Sequence, residues 1–219
     1  MRNLKFSLCS LLLALIVHAQ AQEELTQNMT WNDSARIMIR NLKDGALVVR
    51  LQSSSIAVAK LIQQGNNSWA NDVKSQQREK NLEIVQSFHS SFTFCKVYFF
   101  YADSTDALLS GERSGFFLDD SLNINPSITL KEDFFMIAEE GNPHRQIKFD
   151  ATQPQRELSE PSYTNGSIVV YDQELNLLKD PFPYYAQEPF PQTFTSSNWK
   201  SKVISLDKKM QAFYKKSMK

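Results

Sequence analysis

Two apolar runs of strand length, separated by a long helical stretch, constrain the fold of this chain more than any other feature. The runs cover 46–51 and 97–102, and the sequence between them has helical character over 53–64 and 68–88. A Gly-Asn-Asn turn ends the first of these helices. This order predicts a strand, an αα-hairpin and a second strand whose parallel return is right-handed. The second run does not alternate apolar and polar residues, which predicts a strand covered on both faces.

Shorter elements surround these two strands. One helix is predicted at 34–43, with Asn32 or Asp33 as its N-cap, and another at 105–110. Strands are predicted at 115–118, 128–130 and 134–138, and a β-hairpin at 167–178. Because the later strands follow one another closely, we expect antiparallel pairing among them. The sum is an α/β fold, in which a mixed β-sheet is flanked by helices.

The C-terminal segment, 198–216, predicts an amphipathic helix. Its apolar residues recur at spacings of four and three and form one seam: Trp199, Val203, Leu206, Met210 and Phe213. Its other face carries Lys200, Lys202, Lys208, Lys209, Lys215, Lys216 and Lys219. A basic amphipathic helix can lie on an anionic membrane, so peripheral membrane contact is one hypothesis. The pattern favours the alternative, a helix docked on the domain with a solvated lysine face.

Residues 1–21 have the pattern of a cleavable export signal. Basic residues precede an apolar run at 11–17, and an Ala-Gln-Ala site ends the segment. The run is shorter than the about 20 apolar residues that span a bilayer, and no later run reaches that length. We therefore expect an exported protein, periplasmic or extracellular, whose mature part at 22–219 is a single domain. The one cysteine of that part, Cys95, lies among apolar residues and is expected to be a buried, unreactive thiol.

Charge and composition exclude several classes of function. The chain has 24 basic and 24 acidic residues, whereas nucleic-acid-binding domains usually carry a positive field. Its six glycines form no phosphate-binding loop or dinucleotide fingerprint, so no nucleotide is expected. With three histidines and two cysteines in the chain, a transition-metal site is not expected either. The sequence thus predicts no cofactor.

Four aspartates are the first candidates for a ligand site: Asp103, Asp106, Asp119 and Asp120. They follow two predicted strands, and open α/β sheets bind ligands at the carboxyl ends of their strands. Carboxylates that converge there could hold a divalent cation, as in a metal-dependent enzyme. Their spacing matches no cation-binding motif, and the favoured alternative is that they cap a helix and form a turn.

Two histidines, His89 and His144, are candidates for a hydrolase triad. The chain contains no Gly-x-Ser-x-Gly motif, and neither histidine follows a nucleophile turn. A positive imidazole at His89 instead suits the C-terminal end of a helix. The sequence therefore favours a protein without catalytic activity.

Aromatic residues supply further candidates for contact. Prolines and aromatic rings are interleaved between 181 and 194. The candidate residues for an interaction surface are Phe182, Tyr184, Tyr185 and Phe190. The favoured alternative is a rigid cover segment whose rings pack on the sheet.

Trp69 is expected to staple the αα-hairpin, with an exposed recognition role as its alternative. A long polar loop is predicted at 141–166.

Two strings resemble those of uncharacterised exported bacterial proteins: Ala-Leu-Val-Val-Arg-Leu at 46–51 and Phe-Thr-Phe-Cys-Lys-Val-Tyr-Phe-Phe-Tyr-Ala-Asp-Ser at 92–104. The resemblance covers the first half of the chain and implies a Gram-negative-type envelope as its home. It implies no activity, substrate or catalytic residue. The segment 167–178 with its following prolines is similar to the second half of a thioredoxin-like domain. No Cys-x-x-Cys pair is present, so redox activity does not follow from that similarity.

These observations predict a non-catalytic exported envelope protein that binds a partner protein or a small ligand. Two alternatives stay open: a hydrolase or metal-dependent enzyme built on the aspartates, and a peripheral membrane protein attached through its last helix. The positions of the four carboxylates distinguish binding from catalysis, because the enzyme needs them in one pocket.

Overall fold

The computed structural model describes residues 30–143, 166–187 and 198–219. Within them the chain forms one five-stranded mixed sheet and five α-helices, which confirms the α/β class expected from the sequence. The expected signal peptide at 1–21 and most of the expected polar loop, 144–165, lie outside the described residues. None of the described helices is long and apolar enough to cross a membrane.

Helices and strands alternate along the first half of the chain. The helices are α1 (Trp31–Asp44), α2 (Ser55–Gln63), α3 (Asn67–Ser91), α4 (Thr105–Leu109) and α5 (Trp199–Ser217). The strands are β1 (Ala46–Leu51), β2 (Lys96–Tyr101), β3 (Phe135–Gly141), β4 (Ser167–Tyr171) and β5 (Tyr185–Ala186). Across the sheet the order is β2-β1-β3-β4-β5. β1 is parallel to β2 and β3, whereas β4 is antiparallel to β3 and β5. The αα-hairpin α2–α3 and the C-terminal helix lie where the sequence predicted them.

β1 is buried on both faces, and its alternate side chains enter two separate cores. Leu47 and Val49 pack with residues of α1, α3 and α5. Ala46 and Val48 pack on the other face, with Leu108 of α4 and with apolar residues of the segment 116–130. An unbroken apolar strand is the expected sequence for such a position, because both of its faces must be covered.

β2 lies at the edge of the sheet, and both of its faces are covered as predicted, because Phe99 enters one core and Phe100 enters the other. Its buried residues are Phe99 and Phe100. A short antiparallel segment covers part of its outer edge. Leu118 N–H donates to Phe99 O at 2.9 Å, and Phe117 is paired with Phe100 in an antiparallel β-bridge. An apolar run indicates burial, but it does not say whether a neighbouring strand or a loop provides the cover.

Three of the predicted strand segments do not form regular strands. The segments 115–118 and 128–130 make only isolated bridges. A turn ends the first, because Asp119 Oδ1 accepts hydrogen bonds from the N–H groups of Ser121 and Asn123, both at 2.9 Å. The second arm of the predicted hairpin, 176–178, makes one bridge to β4. β4 pairs instead with β3 and β5 on its two sides.

The thioredoxin-like option stays a prediction. The first strand of the predicted hairpin, β4, is antiparallel to its neighbour β3. β3 runs parallel to β1 from Ala46 to Arg50. The reason is the path after β2, where α4 and the residues up to 134 carry the chain across one face of the sheet. β3 therefore enters on the other side of β1 in the same direction.

α1 begins earlier than predicted, because its N-cap is Thr30 rather than Asn32 or Asp33. Asp33 N–H donates to Thr30 Oγ1 at 3.3 Å, and Thr30 Oγ1 donates to Asp33 Oδ2 at 2.6 Å. Gly45 separates the helix from β1. A Cβ atom at this glycine would lie 2.3 Å from Phe134 O, so the close approach of β1 to the start of β3 requires glycine.

α5 closes the helical face of the sheet. Its predicted seam is confirmed, since Trp199, Val203, Leu206 and Met210 are buried and the helix packs against α1 and α3. The assignment of Lys202 to the outer lysine face is wrong, because its side chain is buried. Lys202 is 1 % exposed, and its Nζ lies 4.3 Å from the centre of the Trp199 ring.

Phe182 belongs to the core, which corrects its assignment to an interaction surface. The side chain is 0 % exposed, and its ring meets the ring of Phe213 edge-on with the centroids 6.2 Å apart. Tyr184 and Tyr185 are partly exposed, and Phe190 lies outside the described residues. For Phe182 the favoured alternative is confirmed, because its ring packs on the domain as part of a cover segment.

Replacement of Phe182 should therefore test core packing. We expect Phe182→Ala to lower the free energy of unfolding by about 3–5 kcal/mol, because it removes a buried ring and leaves a cavity. Tyr184→Ala, two residues away and partly exposed, should cost less than half as much. Urea unfolding of the mature chain measures both values. Equal losses at the two positions would contradict the assignment of Phe182 to the core.

Candidate functional site

Asp103 follows β2 and holds the start of α2. Its carboxylate accepts hydrogen bonds from Ser53 Oγ at 2.9 and 2.8 Å and from Ser55 Oγ at 3.3 Å. These contacts tie the residues after β2 to the residues after β1. Asp106 is exposed in the first turn of α4. Both carboxylates thus lie at helix starts, where a negative charge is favourable.

Asp119 and Asp120 lie elsewhere, beside the outer edge of β2. The backbone N–H groups of Asn123 and Ser121 lower the pKa of the Asp119 carboxyl, because they stabilise its charged form. Asp120 contacts the His89 imidazole, with 3.0 Å between Oδ1 and Nε2. Both partners are reachable from solvent, since their side chains are 84 % and 48 % exposed.

The structure brings Asp119 and Asp120 together with His89, and leaves Asp103 and Asp106 at the two helix starts. In 30–143, 166–187 and 198–219, no three His, Cys, Asp or Glu residues are grouped to hold a metal ion. The hydroxyl next to His89, on Ser90, bonds to Ser87 O at 3.3 Å and to the neighbouring serine. In a catalytic triad, a hydroxyl of this kind is hydrogen-bonded to the imidazole of the histidine. His144 lies outside the described residues.

Asp119, Asp120 and His89 line a surface cleft of about 430 Å³. Val97 and Phe99 of β2 form its wall on the side of the sheet, and the His89 and Phe99 rings are 5.3 Å apart. A cleft of this volume can hold a small ligand or part of a peptide. It combines a strand edge, an apolar wall and two carboxylates.

The strand edge in this cleft has open backbone groups at Val97. Leu118 N–H donates to Phe99 O, so the peptide groups of Phe99 face outward, away from β1. Because the hydrogen-bonding direction alternates along a strand, Val97 faces outward as well. Within the described part of the chain, no backbone hydrogen bond engages Val97 on that side.

Sequence reasoning missed a buried polar cluster at the carboxyl ends of β1 and β3. Arg50 and Glu139 are register partners in the parallel pair, and Arg50 Nη1 donates to Glu139 Oε2 at 2.5 Å. Arg50 Nε also donates to Thr105 Oγ1 at 2.8 Å. Burial raises the pKa of Glu139, and the adjacent guanidinium opposes that rise. Burial, together with the charge of Glu139, also raises the pKa of Tyr171, which bonds to this carboxyl.

A signal for this cluster was present in the sequence. Arg50 and Glu139 each stand at the end of an apolar strand, and charged residues in such positions are paired when they are buried. The pair lies where the chain order reverses around β1, the point at which open α/β sheets bind ligands. Here the two charged side chains themselves occupy that point.

The opposite face of the same strand ends contains a cavity of about 10 Å³. A space of that size holds one water molecule at most. Trp199 borders it, and Trp199 Nε1 is buried without a hydrogen-bond partner in the described part of the chain. Volume decides between the two spaces, because the cleft beside β2 has room for a ligand and this cavity does not.

The cleft beside β2 is therefore the candidate binding site. It contains two of the four aspartates proposed from the sequence, together with His89 and an open strand edge.

Comparison of the chain with models of protein families, with characterised proteins and with solved structures finds no match.

The buried pair gives a prediction about stability. We expect Arg50→Met to lower the free energy of unfolding by about 3–5 kcal/mol, because it leaves a buried carboxylate without its partner. The double variant Arg50→Met/Glu139→Leu should recover most of that loss. Urea unfolding measures both. In the single variant the folded-state pKa of Glu139 rises further above its unfolded value, so the loss should shrink as the pH is lowered. A loss that does not change with pH would contradict this account.

Proposed function

We propose that this chain is a non-catalytic protein of the cell envelope that binds an extended, basic segment of a partner protein. The bound segment lies in the cleft beside β2 and adds a strand to that edge of the sheet. The observation that carries the proposal is the open backbone at Val97, in a cleft of about 430 Å³ between an edge strand and two carboxylates.

Main-chain hydrogen bonds would supply the affinity. An extended peptide binds an exposed strand edge through its own N–H and C=O groups. Phe117 and Leu118 already pair with Phe100 and Phe99 in the antiparallel direction. The turn at Asp119 then takes the chain away from the edge before it reaches Val97. An incoming strand can continue along the edge from that point.

Charge would select the segment. Asp119 and Asp120 are carboxylates at the rim of the cleft, and carboxylates bind lysine and arginine side chains through charge-assisted hydrogen bonds. The backbone N–H groups of Asn123 and Ser121 lower the pKa of Asp119 and so favour its charged form. The rings of His89 and Phe99 provide an apolar wall for the aliphatic part of a long basic side chain.

The two alternative functions have less support. An enzyme built on the four aspartates needs them in one site, whereas Asp103 and Asp106 are at helix starts. Membrane attachment through α5 needs its apolar seam, which packs against α1 and α3. The lysines that are left on its outer face have no apolar stripe beside them to insert into lipid.

Binding can be tested with a defined probe. We expect a short peptide of alternating lysine and valine to bind the mature chain with a dissociation constant on the order of 100 µM. The double variant Asp119→Asn/Asp120→Asn should weaken binding about tenfold, because it removes two charges. Asparagine at 119 can still accept the two backbone hydrogen bonds of the turn. Isothermal titration calorimetry measures both affinities.

Two controls separate strand addition from simple charge attraction. Val97→Pro removes the outward N–H at the open edge while the bonds to β1 remain, so it should abolish binding in a folded chain. Asp106→Asn removes an exposed carboxylate outside the cleft and should leave the affinity unchanged. Binding that survives Val97→Pro, or equal binding of a glutamate-valine peptide, would refute the proposal.

Export is part of the proposal, because residues 1–21 carry the pattern of a cleavable signal. We expect protein from its native host to begin at Gln22 and to appear in the envelope or secreted fraction. N-terminal sequencing checks the cleavage site. Leu13→Arg places a charge in the apolar run and should keep the full-length chain inside the cell. An unaltered chain that begins at Met1 in the cytosol would rule export out.

A further inference from the structure

α2 is an apolar helix without a single buried residue. Two of its large side chains are well exposed, Ile56 at 49 % and Ile62 at 54 %. Trp69, at the start of α3, is 61 % exposed, so the expectation that it staples the hairpin is wrong. These are three of the five large apolar side chains exposed in the described part of the chain. Apolar exposure concentrated on one helical hairpin is typical of an interaction site.

One side of α2 is attached to the domain. The helix packs against α3, where Val58 and Leu61 are partly buried. At its base, Ser54 Oγ donates to Gln77 Oε1 at 3.0 Å. The opposite side of the helix is exposed along its whole length. The position of α2 is therefore defined by the side that packs on α3 and, at its first turn, by the Ser55–Asp103 hydrogen bond. The rest of the exposed side can contact another molecule.

The exposed side carries a stripe that is symmetrical about Ala59. Ile56 precedes Ala59 by three residues and Ile62 follows it by three, while Ser55 and Gln63 stand four residues away on either side. All five side chains are exposed. Residues three and four apart are neighbours on a helix, so these five form one face. A small residue lies at its centre, an isoleucine on each side and a polar residue at each end.

Such a stripe is complementary to itself. When two copies of α2 lie antiparallel, Ile56 of one copy is level with Ile62 of the other, and the two Ala59 residues meet at the crossing. Small side chains at a crossing let helices approach closely. A two-fold axis relates these contacts, as in most protein dimers.

The charge of the hairpin also favours a second copy of this chain. From 53 to 71 the one charged residue is Lys60. Helices that bind anionic membranes carry several basic residues on their polar face. The centres of protein interfaces are instead depleted of charge and contain aromatic and aliphatic residues. A nearly uncharged surface can also face its own copy without strong repulsion.

We infer that α2 is a homodimer interface, in which two copies of this chain pair antiparallel about an axis through Ala59. The stripe spans only two helical turns, so the dimer is a weak one, with a dissociation constant on the order of 10 µM. The interface is separate from the cleft beside β2, and the inference does not depend on the proposed function.

Site-directed disulfide formation tests the antiparallel arrangement, with oxidised glutathione as the oxidant. Ala59→Cys should give a covalent dimer at a protein concentration of about 100 µM, well above the expected dissociation constant. A mixture of Ile56→Cys and Ile62→Cys chains should crosslink at least fivefold more than either chain alone. Cys95 does not compete, because burial raises its pKa to about 12. Ile124→Cys is the matched control, since Ile124 is 55 % exposed outside the hairpin.

Sedimentation of the mature chain tests whether the dimer exists. At about 100 µM the unaltered chain should be mostly dimeric, and Ile56→Glu should weaken the dimer at least tenfold. Ile124→Glu should leave it unchanged. The altered residues are exposed, and circular dichroism verifies that each variant is folded. A monomeric unaltered chain, a dimer that survives Ile56→Glu, or equal crosslinking through Ile124→Cys would each overturn the inference.

Discussion

Burial of β1 on both faces and along both edges is the constraint on which the rest of this structure depends. All six residues of the strand are buried, and parallel strands flank it on each side. Parallel neighbours require crossover connections, and these connections supply the cover. The α2–α3 connection contributes α3 to one face, and the residues between β2 and β3 cover the other. The two cores thus follow from one strand and the direction of its neighbours.

The same topology determines where a ligand can bind. The crevice where strand order reverses around β1 is occupied by the Arg50–Glu139 pair, with Thr105 and Tyr171 bonded to it. Removal of one partner of such a pair is costly, because the remaining charged side chain is buried away from water and has no opposite charge beside it. The cavity on the other face has room for one water molecule at most. Space for a larger ligand is found instead at the sheet edge, where Asp119 turns the chain away from Val97.

The two edges of the sheet are protected to different extents. At one end β5 has only two residues, and Lys209 of α5 donates to Tyr185 O at 2.9 Å. At the other end β2 is longer, and Phe117 and Leu118 cover only part of it. Folded proteins usually shorten or cover an edge strand, because open backbone groups attract other chains. An edge left partly open beside two carboxylates is therefore a specific feature of this fold, as is the apolar outer side of α2.

Much of the local structure could be predicted from the sequence, because its causes are local. The run Ala46–Leu51 forms β1 with the predicted bounds, and the seam from Trp199 to Met210 packs inward. The thiol of Cys95 has the raised pKa that its apolar surroundings imply. The helical hairpin follows from the Gly-Asn-Asn turn between two helical stretches. The Asp119 turn also has a local cause, because its carboxylate accepts a hydrogen bond from the nearby Ser121 N–H.

The sequence by itself thus determined the five helices and the strands β1 to β4, since side-chain spacing, caps and turns act over a few residues. Only the tertiary structure decided that β1 rather than β2 is central, and that β3 runs parallel to β1. It also decided that Phe182 and Lys202 are buried while Trp69 is exposed, and that Asp120 meets His89. These outcomes depend on contacts between segments far apart in the chain. No local pattern encodes them, because each results from the free energy of packing the whole domain.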